Sequence, residues 1–361
     1  TMVRLSAQGG IEVMRQEDSS KTTILVTGGA GFIGSNFIPY FLNRYPGYQV
    51  INLDILSYAG NLENLREVED MTRYTFIKGD IRDRDLLNRL FMEYDLRGII
   101  HFAAESHVDN SIEAPDVFIQ TNINGTFNLL DAARQYWMEG PHRYKEGYEN
   151  CRFHHISTDE VYGSLGESGL FTETTPYGPN SPYSASKASS DLLVRSYFHT
   201  YGMNVVTSNC SNNYGPKQHN EKLIPTIIRK ALALEPIPIY GDGRNIRDWL
   251  YVLDHCKGID RVFHQGRSGE SYNIGGHNER ENLYIVQIIC KILDELVPQL
   301  KEGQAIKSYA ELATFVTDRP GHDRRYAIDA SKIEVELGWQ AQENFESGIL
   351  KTVKWYLKEF I

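Results

Sequence analysis

The chain has 361 residues and a formal net charge of −10, with 41% hydrophobic and 23% charged residues, a balance that excludes wholesale disorder. The acidic sum argues against nonspecific nucleic-acid binding, yet leaves room for an anionic small molecule held by local amides and arginines. No stretch reaches the ~18–20 apolar residues of a membrane helix, so no membrane partner is expected; Cys151, Cys210, Cys256 and Cys290 lack zinc or disulfide spacing, which fits reduced thiols in a cytoplasmic protein.

Residues 1–20 lack the apolar segment of a signal peptide and read as a disordered tail or tag remnant. From Lys21 onward, TTILVT predicts a strand, GGAG a turn, and Phe32, Ile33, Phe37, Ile38 and Phe41 the apolar face of a helix. YQVINLD is a second strand ending at Asp54. YTFIKGD is a third, and Asp83 is placed to cap the helix RDLLNRLFMEY. RGIIHFAAESH is a fourth strand, followed by one long helix over about 115–137. RFHHIST is a fifth strand, residues 182–201 a helix, and NVVTSNC a sixth strand. Apolar strands alternating with helices predict an α/β, Rossmann-like doubly wound parallel sheet. The alternation weakens after Asn213, where a smaller mixed α/β lobe is expected. The expected organisation is therefore one domain over 21–213, a return segment near 240–265, and a lobe over 214–361.

TGGAGFIG spaces Gly28, Gly31 and Gly34 three apart between a strand and a helix. Such glycines serve a tight turn, close backbone approach to a pyrophosphate, and helix packing on the sheet. With Phe32 and Ile33 they place the pyrophosphate on a helix N-terminus. Asp54, 20 residues after Gly34, sits where an acid binds the ribose hydroxyls of NAD; no arginine follows it, which disfavours NADP. Asp80 and Ile81 are candidates for flanking adenine, and the small residues Ala103, Ala104 and Ser106 leave space at the tip of the fourth strand.

Tyr183 and Lys187 form Y-x-x-x-K at a helix start and share a face. A tyrosine beside an ammonium ion is a candidate general base for oxidising an alcohol. Thr158, Asp159 and Glu160 end the fifth strand. Two carboxyl groups in different environments suit acid and base roles in an elimination. The same residues also read as an ordinary helix cap with Glu160 in solvent.

Taken together, TGGAGFIGSNF, HFAAESHVD, STDEVYG, SPYSASKASSD, SNNYGP, IRDWLYV, YNIGGHNE and DRPGHDRRYAID resemble the extended short-chain dehydrogenase/reductases, and within them the nucleotide-sugar 4,6-dehydratases. The resemblance runs from Lys21 to the C-terminus. It implies a retained NAD, with Thr121, Tyr183 and Lys187 also at the cofactor, and dehydration of dTDP-glucose. A UDP- or CDP-glucose dehydratase is the next reading, then a 4-epimerase or decarboxylase. It assigns Tyr183 as base at the 4-hydroxyl, Thr158 as its partner, Glu160 as base at C5, and Asp159 as acid at the 6-hydroxyl. It places Ser106, Asn212, Lys222, Pro238, Tyr240, Arg247, Asn282, Arg319 and His322 around the nucleotide sugar. It also implies a homodimer built as a four-helix bundle from helices 115–137 and 182–201. Departures lie near the expected substrate mouth: Lys217-Gln218-His219-Asn220, Asn110, and a short loop between Gly163 and Phe171.

Overall fold

The structure, a computed structural model, describes residues 2–5, 11–14, 21–318 and 323–360. Short runs of β-branched and apolar residues form seven strands of one sheet. These are β1 (Thr22–Thr27), β2 (Tyr48–Asp54), β3 (Tyr74–Lys78), β4 (Gly98–His101), β5 (Arg152–Thr158), β6 (Val205–Cys210) and β7 (Ser271–Ile274). Their order is β7-β6-β5-β4-β1-β2-β3, with every neighbouring pair parallel. The order reverses between β1 and β4, which is the topological switch point where such sheets bind ligands.

Successive strand residues face opposite sides, and two cores result. On one side Leu25, Ile51, Ile99, Phe153 and Val205 pack against α2 (Arg84–Tyr94), α3 (Thr126–Trp137) and α4 (Pro182–Tyr201). On the other, Ile24, Val26, Val50 and Ile100 pack against α1 (Phe32–Arg44) and residues Cys256, Ile259 and Phe263. Those three belong to a helix between β6 and β7, Val252–Gln265, so this late segment returns to the sheet. The doubly wound sheet expected from the sequence is therefore present. It has a strand more than expected: β7 is four residues long, SYNI, too short and too polar to stand out as an apolar run.

A separate core gathers Tyr214, Ile224, Ile228, Trp249, Ile285, Ile289, Phe345 and Ile349. They come from α5 (Leu223–Leu232), α7 (Asn282–Leu296), α8 (Phe345–Phe360) and a small mixed sheet, numbering the 252–265 helix as α6. In that sheet Ile246–Tyr251 pairs in parallel with Asn212–Tyr214 and Arg325–Tyr326, and antiparallel with Glu279–Glu281.

The helix expected over 115–137 is continuous but not uniform. Pro115–Phe118 is α-helical, Ile119–Gly125 widens into a π-helix, and α3 follows. Inside the wide turn, Asn122 bridges the Glu105 backbone and the Ser186 hydroxyl. A side chain at Gly125 would meet Ile81 at 2.6 Å, so glycine lets this helix approach the tip of β3. In the first twenty residues, Met2–Leu5 and Ile11–Met14 pair antiparallel; the other positions of the expected tail lie outside the described residues.

Asp83 caps α2 as its sequence position predicts, accepting from Leu86 N at 2.9 Å. Asp83→Ala should therefore cost about 1 kcal/mol, read as a lower urea midpoint with unchanged slope and unchanged cofactor content.

Candidate active site

The carboxyl ends of β1 to β6 open into a cavity of about 380 Å³, the size of a small-molecule site. Gly28 turns the chain at φ +71°, and a Cβ there would lie 2.6 Å from Ala103 N. A Cβ on Gly34 would lie 2.6 Å from Gly28 O, so only glycine lets α1 sit this close to the turn. A Cβ on Gly31 would meet only Gly28 O, at 3.3 Å, which leaves its outer side open to a ligand. Gly31 supplies no side-chain cap to α1. The first amides of that helix, at Phe32 and Ile33 on the cavity wall, are thus placed to receive an anion.

Asp54 reaches into the same wall. Its two oxygens accept from Ala30 N at 2.9 Å and Leu56 N at 2.8 Å. A carboxylate has about four lone-pair sites, so two remain for a pair of hydroxyls. Burial pushes this carboxyl up, while the two amides pull it back. Asp80, held by Arg82 at 2.7 Å, lines the cavity with Ile81, Ala103, Ala104, Ser106 and Thr121. An anion cradle, a diol acceptor and small residues at the strand tips together fit a dinucleotide.

At the far wall β5 ends at Thr158, and Asp159–Tyr162 turns into a short 3-10 helix. Thr158 Oγ1 accepts from Glu160 N at 3.3 Å, so the residue does cap this turn. Glu160 is nevertheless partly buried and lines the cavity with Thr158, Asp159, Tyr183 and Lys187. Asp159 is 1% exposed, and its Oδ2 has no hydrogen-bond partner among the described residues. Burial first, then Glu160 and Asp248, pushes the Asp159 carboxyl well above its ordinary range. Burial thus favours its protonated form, the form of an acid, and leaves one oxygen unused.

Tyr183 departs from expectation. Burial, then Glu160, holds its phenol well above the ordinary tyrosine value, opposed by a hydrogen bond from Thr158. Lys187 donates to Ile156 O at 2.8 Å, and burial lowers its own affinity for a proton. The lysine thus has no surplus with which to lower Tyr183 unless its charge is supported.

Of the residues assigned to substrate, Ser106, Asn212 and Lys222 line the cavity, and Lys222 Nζ donates to Ser106 O at 3.3 Å. Pro238, Tyr240, Arg247 and Asn282 do not line it. Pro238 and Tyr240 lie on Ile237–Tyr240, paired with Ala313–Val316, and Asn282 opens α7. Arg247 is buried, stacks on Tyr326 at 4.3 Å, and bonds the carbonyls of Ile246 and Asp323. It still acts on the site, pulling Asp159 back toward ionisation. Arg319 and His322 lie outside the described residues.

Of the lining residues, Tyr58 carries no sequence signal for this role, and His219 is marked only by its departure from the resembled pattern. Tyr58 and His219 meet edge to face at 5.5 Å across the mouth. Lys217, at φ +70°, reaches from the loop before α5 to Ser35 O at 3.1 Å and Glu67 at 2.9 Å. That loop, marked in the sequence only by its departure from the resembled pattern, thereby straps across to α1.

A family model described as GDP-mannose 4,6 dehydratase matches residues 25–352. The chain is 57% identical to a dTDP-glucose 4,6-dehydratase of Xanthomonas campestris over 93% of both chains. It is also 57% identical to one of Neisseria meningitidis, covering 92% of this chain and 93% of that one. A solved dTDP-glucose 4,6-dehydratase of Bacillus anthracis in complex with NAD is 46% identical at TM-score 0.81, covering 93% of this chain and 97% of that one. A UDP-glucose 4-epimerase of Thermotoga maritima is 27% identical at TM-score 0.79, covering 94% and 100%.

The raised Asp159 carboxyl has a consequence for stability. A carboxyl raised in the folded state favours folding while it is protonated, and that contribution is lost as pH rises through the folded value. Asparagine carries no such loss. Asp159→Asn should therefore raise the melting temperature relative to the parent chain at pH 8, with the gain shrinking toward about pH 4. Thermal melts at both ends of that window check it; a pH-independent difference would contradict the neutral-acid assignment.

Proposed function

The chain belongs to the nucleotide-sugar 4,6-dehydratase family, and from that premise we propose that it converts dTDP-glucose to dTDP-4-keto-6-deoxyglucose on a retained NAD. It is a hydro-lyase. The observation that carries this reading is the pair at the end of β5: a buried acid with an unused oxygen next to a less deeply buried carboxyl group, both lining the cavity that holds Tyr183.

Gly28, Gly31, Phe32, Ile33, Gly34 and Asp54 hold the dinucleotide, which when bound supplies a reversible hydride acceptor for the sugar. Tyr183 takes the proton of the 4-hydroxyl, with Thr158 bonding the same oxygen. The ketone formed at C4 makes the C5 proton acidic. Glu160 removes that proton, and Asp159 gives its own to the departing 6-hydroxyl, so water leaves. After reduction at C6, C5 is reprotonated. Acid and base stay distinct because Asp159 is dry and Glu160 is not. A 4-epimerase needs no second acid on the leaving side, so the pair favours dehydration over that alternative.

We assign the nucleotide sugar to Ser106, Asn212 and Lys222 at the cavity. Pro238, Tyr240, Arg247, Asn282, Arg319 and His322 are assigned to its base and diphosphate. In this reading residues 21–213, with the return near 240–265, bind the cofactor, and 214–361 mostly bind the nucleotide sugar. The Lys217 strap and the Tyr58–His219 contact favour slow cofactor exchange. We further infer a homodimer in which helices 115–137 and 182–201 form a four-helix bundle; Ile119, Phe127 and Leu192, exposed on those helices, support it. Four buried free thiols support a reducing, cytoplasmic setting.

Purified protein should release one water from dTDP-glucose, followed by mass spectrometry, with no NAD added, and leave UDP- and CDP-glucose intact. Water loss from one of the others would move the nucleotide. No mass change with any of the three would overturn the dehydratase reading.

A further inference from the structure

Asp191 lies on α4 one turn beyond Lys187 and two beyond Tyr183, on the same face. Its side chain is 3% exposed. Oδ2 accepts from three elements: Ser157 Oγ of β5 at 2.8 Å, Tyr177 OH at 3.0 Å, and Asn209 Nδ2 of β6 at 3.3 Å. Donors converging on one oxygen favour the ionised form. Oδ1 lies 3.1 Å from His155 Nε2 but out of hydrogen-bond alignment. His155 is itself held neutral, because burial and then Lys187 keep it well below the ordinary histidine value.

Of the other groups facing this cluster, burial, then His155 and Lys187, holds His101 well below the ordinary histidine value, and Glu160 acts on Cys210 and Tyr183. Burial pushes up the Tyr162 and Tyr177 phenols and the Cys210 thiol, which faces Lys187. Asp191 itself is pushed up to about 6, mainly by burial and against the pull of Lys187, so it is a carboxylate at neutral pH. Of the influences on Lys187 that oppose burial, Asp191 is the largest. Asp191 is thus a buried carboxyl group one helical turn from Lys187, carried by the same helix and fixed by both neighbouring strands.

We propose that Asp191 is a positioning residue of the reaction: its carboxylate, anchored by Ser157, Tyr177 and Asn209, keeps the Lys187 ammonium charged, and that charge favours the Tyr183 phenolate. This deepens the reading above and rests on Tyr183 as base. A group that merely packed α4 against β5 would have no need of three donors on one oxygen. Without its charge, Lys187 would shed its proton at lower pH, and Tyr183 would lose the cation that favours deprotonation.

The test uses holoprotein with isotope-labelled lysine, the Lys187 signal being assigned by its loss in Lys187→Met. Asp191→Asn should lower the Lys187 titration midpoint by about one pH unit, a tenfold change in proton affinity. It should also move the acidic limb of the kcat profile to higher pH, with KM and bound NAD unchanged. Tyr177→Phe removes one donor, leaves the charge in place, and should move the same limb in the same direction by less; it serves if the first variant does not fold. An unchanged Lys187 midpoint, or a kcat lowered equally at every pH, would overturn the proposal. The midpoint is read without substrate. Failure of the Asp191–Lys187 link is thus distinguishable from failure of the dehydratase reading, which inertness of the parent protein toward dTDP-glucose would expose.

Discussion

The hydrogen bond from Glu160 N to Thr158 Oγ1 marks the point where β5 stops being a strand. Had the strand run on, Asp159 and Glu160 would face opposite sides of the sheet, and one of them would be lost to the core. The turn instead brings both to the cavity, within reach of Tyr183 on the facing helix. Burial then separates the two chemically. Asp159 is enclosed beside Asp248, which favours its protonated form, while Glu160 is less deeply buried. One local change in backbone direction thus gives adjacent carboxyl groups the unlike environments that the proposed acid and base roles require. The price is a desolvated cluster whose charges must be managed by Arg247, Lys187 and Asp191.

The strands that carry this site were legible because parallel strands covered on both faces read as apolar runs. Gly28, Gly34, Asp54 and the Asp83 cap were legible because each answers a local demand: a positive φ, a close approach, a free amide. The cavity contains the whole set of residues assigned to cofactor and catalysis. What local pattern could not convey was anything settled by tertiary approach. The strand β7 was missed because four mixed residues carry no periodic signal. The π-turn over Ile119–Gly125 was missed because it is shaped by what Asn122 bonds, not by helix propensity. Asp191 was missed because a carboxylate on a helix is normally solvated, and only the neighbouring strands reveal that this one is not.

The second lobe illustrates the same boundary. Its helices carry plain apolar faces, such as Ile285, Ile289 and Leu293 on α7, whereas its strands pair residues far apart in the chain, such as Ile246 with Arg325. The family resemblance placed Arg247 at the nucleotide sugar. In the structure its guanidinium serves carbonyl groups and the Tyr326 ring, and reaches the site as a field acting on Asp159. An arginine placed this way tunes an acid whether or not it also meets a diphosphate.

In the proposed reaction one cavity oxidises, eliminates and reduces the same sugar without exchanging its cofactor. Incubating the protein with dTDP-glucose carrying deuterium at C4, followed by NMR of the product, tests it most directly. That reaction leaves deuterium at C6 of the 4-keto-6-deoxy sugar, with none released to water. Product with ordinary hydrogen at C6, or label lost to solvent, would contradict it.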